Sequence, residues 1–194
     1  MPILGIIASQ ISGHLSTSSY ESIQTVTVGT GAPTTIDFTS IPTTYKHLQI
    51  RWIGRVTPST TDENLGMTVG NGSVDTGANY SLHYLYGSGG GNATSGASAT
   101  TSSVSMGRLT GANTTASVFG TGIIDLIDYS NTNKYKTFSG LSGDINSSTG
   151  AGIIWEVSGS WRSNSAIDTI QLTQLYGSGG FAQYSQFELF GIKG

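Results

Sequence analysis

The chain has 194 residues, of which 28 are glycine and only 10% are charged. Eight lysine and arginine residues in a chain of net charge −3 argue against a nucleic-acid-binding protein, which needs a dense basic surface. The same scarcity of charge disfavours charged disorder and helical bundles. With 36% hydrophobic residues and no cysteine, the composition suits a domain that buries a core without disulfides or zinc–thiolate sites.

The first residues are apolar but lack the basic segment of a secretory signal, and the apolar run is too short to cross a bilayer. We expect them to belong to the mature protein and to make no membrane insertion. We predict an N-terminal arm or first edge strand over residues 1–20, followed by one β-sandwich domain over 21–194. The arm is predicted to act as an anchor on its own sandwich, a neighbouring subunit or a larger particle, through Ile3, Leu4, Ile6 and Ile7.

Alternating apolar and polar residues predict a strand over Lys46–Val56, with Leu48, Ile50 and Trp52 on its inner face and Ile53 as an apolar exception on the other. Ile153–Trp161 alternates in the same way, and Ile154 is its exception. Shorter runs of β-branched and aromatic residues predict further strands over Ile23–Val28, Thr35–Thr39, Leu65–Val69, Ser81–Tyr86, Val104–Leu109, Val118–Tyr129, Lys134–Ser142, Ile167–Leu175 and Gln186–Ile192.

No stretch shows the 3.6-residue period of a helix over a dozen residues. Many short strands separated by turn residues predict an all-β, antiparallel sandwich of jelly-roll type. The segment Ile123–Ile127 is apolar on both faces, broken only by Asp125, which predicts a central strand covered on two sides by two layers or by a partner subunit.

Residues 87–103 contain no large apolar side chain. Such a segment indicates a flexible hairpin tip or, as the alternative, a functional loop. The motif Leu-Tyr-Gly-Ser-Gly-Gly, at 85–90, recurs at 175–180 and is interpreted as two similar exits from strand to loop. Tyr80, Tyr84 and Tyr86 border the loop and are the candidates for an exposed ligand surface, with core packing as the alternative.

The sequence contains no catalytic motif. The three histidines form no HExxH pattern, and no serine lies in a GxSxG motif. Asp144, Asn146 and Ser148 have the first spacings of a calcium loop, but the glycine and the terminal acid are displaced, and a second oxygen-rich group that begins at Asp125 is typical of a turn. We expect no enzymatic activity, no metal site and no cofactor.

Five segments together resemble a family of short virion structural proteins of tailed bacteriophages, of the capsid-decoration or tail-fibre type, common among phages of aquatic bacteria. These segments are Pro2–Ser9, Ile41–Arg51, Asn79–Leu85, Asp128–Thr137 and Phe190–Gly194. The resemblance implies a β-rich virion component without enzymatic activity, and it carries over no catalytic residues.

The resemblance leaves the position in the virion open. The chain has no coiled-coil heptads or other shaft sequence, which favours a decoration (cement) protein on the head over a projecting fibre. The alternative is a tail-fibre or baseplate tip that binds host surface glycans. The expected partners are further copies of the chain in a homotrimer, the major capsid protein or tail proteins, and in the alternative a host glycan. The homotrimer is expected by analogy, because virion appendages and decorations frequently occupy three-fold positions, and because the apolar segment Ile123–Ile127 needs cover on two sides.

Overall fold

The structure is a computed structural model that describes residues 19–146 and 151–194. Over these ranges the chain forms strands and no helix, which confirms the all-β prediction. In chain order the strands are β1 (Tyr20–Thr27), β2 (Thr35–Phe38), β3 (His47–Gly54), β4 (Asp62–Asn71), β5 (Ser73–Val74), β6 (Tyr80–Ser88), β7 (Ala93–Thr101), β8 (Val104–Thr110), β9 (Gly120–Ile127), β10 (Lys136–Asn146), β11 (Ala151–Trp161), β12 (Thr169–Gln174) and β13 (Gln186–Ile192).

The strands form two sheets whose inner faces pack together as a sandwich. The larger sheet has eight strands in the order β1-β13-β3-β9-β10-β11-β6-β7, and the smaller has β2-β12-β4 with β5 and β8 both paired to β4. All of these strand pairings are antiparallel. The first four strands alternate between the sheets, a crossing pattern consistent with the jelly-roll type predicted from the sequence.

The core lies between the sheets and follows the alternation read from the sequence. Leu48, Ile50 and Trp52 of β3 are buried, whereas Ile53 points to solvent. In β11 the same parity buries Trp155 and leaves Ile154 exposed. Strands β3 and β11 therefore each present one face to the core and the other to the outside.

Two glycines make room for Trp52, the largest inward side chain of β3. A Cβ atom on Gly107 would lie 2.7 Å from the Trp52 ring, and one on Gly122, the cross-strand partner of Trp52, would lie 2.7 Å from the same ring. Both distances are shorter than carbon–carbon van der Waals contact. The indole therefore fills space that a side chain in β8 or β9 would otherwise occupy.

The prediction of a loop over residues 87–103 is wrong. Strand β6 continues to Ser88, β7 spans Ala93–Thr101, and only a short turn joins them. The small side chains of β7 give no hydrophobic period, but an antiparallel pair is joined by backbone hydrogen bonds that need no particular side chain. Because β7 is the last strand of its sheet, it can be built from small polar residues.

Strand β9 is central, as predicted, because it lies between β3 and β10. Its burial is one-sided within the described chain: Ile124 and Leu126 are buried, whereas Ile123 and Ile127 are exposed. Among the described residues, the prediction of cover on two sides is therefore not met. Cover by a partner subunit stays a prediction.

The chain enters the sandwich at an edge of the larger sheet, where Tyr20 of β1 pairs with Ile192. The predicted arm residues Ile3, Leu4, Ile6 and Ile7 lie outside the described residues, as does almost all of the predicted segment 1–20.

Candidate functional site

The outer face of the eight-stranded sheet carries seven exposed aliphatic side chains, which we call the aliphatic face. Their exposed fractions range from 41% to 67%, and the residues are Ile53, Leu85, Ile123, Ile127, Leu141, Ile145 and Ile154. They come from five strands, and their parity on each strand places them opposite the core-facing residues. An apolar patch of this kind on a soluble domain typically marks an interaction site.

The strand register brings these side chains into rows. Ile123 of β9 is the cross-strand partner of Leu141 in β10, and Leu141 is the partner of Glu156 in β11. Glu156 is in turn the partner of Leu85 in β6. One row across four neighbouring strands therefore holds three aliphatic side chains and a single carboxylate.

A second part of the face contains a groove. Ile145 pairs with Gly152, and Ile154 pairs with Gly143 on one side and Gly87 on the other. Because these three glycines carry no side chain, the two isoleucines stand above their surroundings and border a groove of about 670 Å³. The groove and the row of aliphatic side chains form a surface with relief, which a complementary partner can fill.

Charged side chains border the aliphatic face on the side of β3 and β13. Arg51 is the partner of Ile123 in the ladder and of Glu188 on its other side. The guanidinium of Arg51 lies 5.4 Å from the ring of Phe190. In the next row, Gln49 donates a 2.8 Å hydrogen bond to Asp125. An apolar centre with a polar rim is the common arrangement of protein–protein interfaces.

The structure corrects one of the three predicted ligand-binding tyrosines. Tyr80 is completely buried: its hydroxyl accepts a 3.0 Å bond from the Val69 N–H and lies 2.9 Å and 2.8 Å from the carbonyl oxygens of Val69 and Asp75. Burial raises the pKa of Tyr80 to about 12. Tyr80 joins β6 to β4 and is a structural residue.

Tyr84 and Tyr86 are half-buried on the inner side of β6, near the edge of the sandwich. Both rings stack on Trp155, with centroid separations of 4.3 Å for Tyr84 and 5.5 Å for Tyr86. The sequence placed these tyrosines beside a mobile loop, whereas they lie beside the paired strand β7.

The oxygen-rich groups lie in ordinary structural environments. Asp144 is buried, and its carboxylate accepts a 3.1 Å hydrogen bond from the Ile153 N–H; burial raises the pKa of Asp144. Within residues 19–146 and 151–194, no three histidine, aspartate or glutamate side chains cluster as metal ligands do. The same part of the chain has no helix long and apolar enough to span a membrane.

Sequence reasoning named only part of the aliphatic face. Ile53 and Ile154 stood out as apolar exceptions on polar faces, and Ile123 lay in a two-faced apolar run. The sequence analysis did not single out Leu85, Leu141 and Ile145, although each has the outward parity of its strand. A systematic count of apolar residues at outward positions would have found them.

Comparisons with known proteins place the chain in no family. No family model matches it, and no curated protein shows a significant match.

Proposed function

We propose that the protein is a non-enzymatic structural component on the surface of a tailed-phage virion, a capsid decoration protein that assembles as a homotrimer. The resemblance of five sequence segments to phage virion proteins supports the virion role. The observation that carries the assembly role is the aliphatic face, because it gives the domain a surface suited to a protein neighbour.

The energetic argument rests on the removal of apolar side chains from contact with water. Complete burial of one leucine or isoleucine side chain stabilises a complex by about 1.5–3 kcal/mol relative to full exposure. The seven side chains of the aliphatic face are already partly covered by their neighbours, so each contributes less than this on association. Their combined effect still favours a partner that covers the face, either a second subunit or the capsid surface.

Two measurements test this proposal. Sedimentation of the purified protein is expected to give a trimer at micromolar concentration. A cryo-electron-microscopy map of the intact particle is expected to show the domain on the head lattice. A stable monomer in the first measurement contradicts the trimer, and density on the tail contradicts the decoration role.

The alternative function is a tail-fibre or baseplate tip that binds host surface glycans. The observation that favours it is the stack of Tyr84 and Tyr86 on Trp155 at the edge of the sandwich, since aromatic rings with a polar surround suit carbohydrate. Density on the tail combined with binding to a glycan array would support this alternative.

A further inference from the structure

The groove on the outer face lies over β10, β11 and β6, at one end of the larger sheet. Its volume is about 670 Å³, and Ile145 and Ile154, the two most exposed members of the aliphatic face, border it. Gly87 and Gly143 flank Ile154 in the neighbouring strands and form the floor. Among the described residues of the lining, Asp144 is the only ionisable one, and it is buried. The groove therefore presents a neutral and mostly apolar surface.

The packing of the described chain does not require the two glycines of the floor. A Cβ atom on Gly87 would meet no atom within 4 Å, and one on Gly143 would meet only the Ile153 carbonyl oxygen, at 3.5 Å. Neither glycine has a positive φ, so neither is needed for the backbone conformation. Glycine weakens a strand and often marks a site where another chain approaches the backbone closely. The floor therefore has the features of a surface that receives a peptide segment.

The N-terminal segment has a composition that matches the groove. It carries four aliphatic side chains within five residues, at Ile3, Leu4, Ile6 and Ile7, and residues 1–20 contain no aspartate, glutamate, lysine or arginine. Five extended residues span about 16 Å, which is close to the width of about 14 Å of three neighbouring strands. A neutral groove binds such a segment without leaving any charge buried and unpaired.

The strand ladders show that this segment joins its own subunit at the end of the sheet opposite the groove. Gly143 lies in the row of Thr27, whereas the chain enters β1 at Tyr20, seven residues before Thr27. The Lys193 N–H donates a 3.1 Å hydrogen bond to the Ser19 carbonyl oxygen, so the chain still follows the direction of β1 at residue 19. Five strand positions also separate β1 from β11. To reach its own groove, the segment would have to reverse direction and cross the outer face diagonally.

We propose that the N-terminal segment of one subunit binds in the groove of a neighbouring subunit. Its aliphatic side chains pack between Ile145 and Ile154 and over the glycine floor, where they are removed from water. This inference rests on the proposed homotrimer, because it requires a neighbouring subunit, and it names a contact that joins one subunit to the next. In a closed ring each subunit gives one segment and receives one, so every groove is filled.

Because the chain contains no cysteine, introduced cysteines report this contact directly. A tagged full-length chain receives one cysteine at each of the four aliphatic positions of the segment in turn, as in Ile6→Cys. It is co-expressed with an untagged chain that carries Gly87→Cys, and the complexes retrieved by the tag are oxidised with copper phenanthroline. A disulfide between the two chains is expected, because only cysteines held close together can form one. No such disulfide is expected with Thr27→Cys, at an exposed residue of the edge strand β1.

A second variant, Gly87→Val, separates the groove from the fold. The new side chain enters the groove, and its Cβ meets no atom of its own subunit within 4 Å. Valine also favours strands, so the melting temperature is expected to stay the same or rise. Subunit association, measured by sedimentation, is expected to weaken about tenfold, because the segment loses its place. Gly29→Val is the matched control, since a Cβ there also meets nothing within 4 Å and Gly29 lies outside the groove.

The outcomes distinguish this inference from the proposed trimer. If the tag retrieves no untagged chain, the subunits do not associate, and the trimer and this inference both fail. If the tag retrieves the untagged chain but no position of the segment links to Gly87→Cys, only this inference fails. It also fails if Gly87→Val assembles as tightly as Gly29→Val. A disulfide that forms within one chain carrying both cysteines, but not between chains, overturns it as well, because the segment would then bind its own subunit.

Discussion

Ile123 and Leu141 are cross-strand partners in β9 and β10, and both side chains point away from the core into solvent. Neighbouring aliphatic side chains of this kind are usually found on a sheet face that packs against a second sheet or a partner. There the two side chains contact each other, and a third surface covers both. Residues 19–146 and 151–194 supply no such third surface for this pair. The pair therefore identifies the outer face of this sheet as the surface on which a partner is expected to bind.

We predict that Leu141→Asp dissociates the proposed homotrimer. A buried, unpaired carboxylate at the centre of an interface is costly, so subunit association is expected to weaken by at least about tenfold. The free energy of unfolding of the subunit is expected to fall by no more than about 1.5 kcal/mol, because Leu141 is 57% exposed but the new carboxylate lies opposite Glu156. Sedimentation and denaturant unfolding measure the two effects.

Thr27→Asp is the matched control for this variant. Thr27 is an exposed residue of β1, the strand at the far edge of the same sheet, and its cross-strand partner is the polar Gln186, so it lies outside the aliphatic face. It is expected to leave the oligomeric state unchanged. If Leu141→Asp assembles as well as the unaltered protein, the aliphatic face is not the subunit interface.

We predict that Tyr80→Phe destabilises the domain by about 1–3 kcal/mol. The variant keeps the ring in the core but removes the hydroxyl that bonds Val69 and Asp75, so backbone groups of β4 and of the following turn lose a buried partner. Urea unfolding measures the change. Tyr135→Phe, at an exposed position, is the control, and equal stability of the two variants would contradict the structural role of Tyr80.

We predict that the loss of folding stability at acid pH depends on Asp128. Hydrogen bonds and charge from Lys134 and Lys46 lower the pKa of Asp128 from 3.8 to about 2. The pKa of Asp128 is lower in the folded protein than in the unfolded chain. Its carboxylate therefore adds to the free energy of unfolding above pH 3.8, and this contribution is lost as the pH falls towards 2. Asp128→Asn is expected to lower stability at neutral pH and to remove this part of the acid-side decline.

Asp128→Asn is a suitable variant because of the backbone. Asp128 has a positive φ of 50°, a conformation that asparagine tolerates as well as aspartate does. The loss is therefore one of charge and not of backbone fit. The melting temperature, measured between pH 2 and pH 7, reports this effect. If the melting temperature of the variant falls with acid as steeply as that of the unaltered protein, the assigned role of the two lysines is contradicted.

The core of the fold was accessible to sequence reasoning because alternation reports burial directly. In Lys46–Val56 the inward residues Leu48 and Trp52 are large and the outward ones are mostly polar, so the pattern gives both the strand and its orientation. Strand β7 was not predicted, because its small residues show no contrast between apolar and polar positions. It pairs with β6 through backbone hydrogen bonds, which require no particular side-chain pattern.

The aliphatic face depends on register between distant segments, which alternation does not specify. Leu85 and Leu141 are separated by more than fifty residues, and both lie in one row because each pairs with Glu156 of β11. Sequence reasoning could identify the individual side chains as exposed or aromatic, but it could not place them side by side.

We predict that EDTA leaves the melting temperature unchanged. The carboxylate of Asp144 is occupied by the Ile153 N–H, and Asp125 accepts a hydrogen bond from Gln49. Neither group has the ligand spacing of a calcium loop. A fall of many degrees on chelation, measured by calorimetry and reversed by added calcium, would contradict this and direct attention first to Asp144 and Asp125.

The last prediction concerns the apolar N-terminal segment, whose residues Ile3, Leu4, Ile6 and Ile7 contribute about 1.5–3 kcal/mol each when buried. The described residues form two sheets with a hydrophobic core between them. Deletion of residues 2–9 is therefore expected to leave the melting temperature nearly unchanged while the protein fails to assemble or to attach to particles. Calorimetry measures the first effect, and a binding assay with particles stripped of this protein measures the second. If the truncated protein is instead unfolded or aggregated, the segment belongs to the core of its own domain as a first edge strand. A segment that only anchors the domain to a neighbour is not needed for the domain to fold.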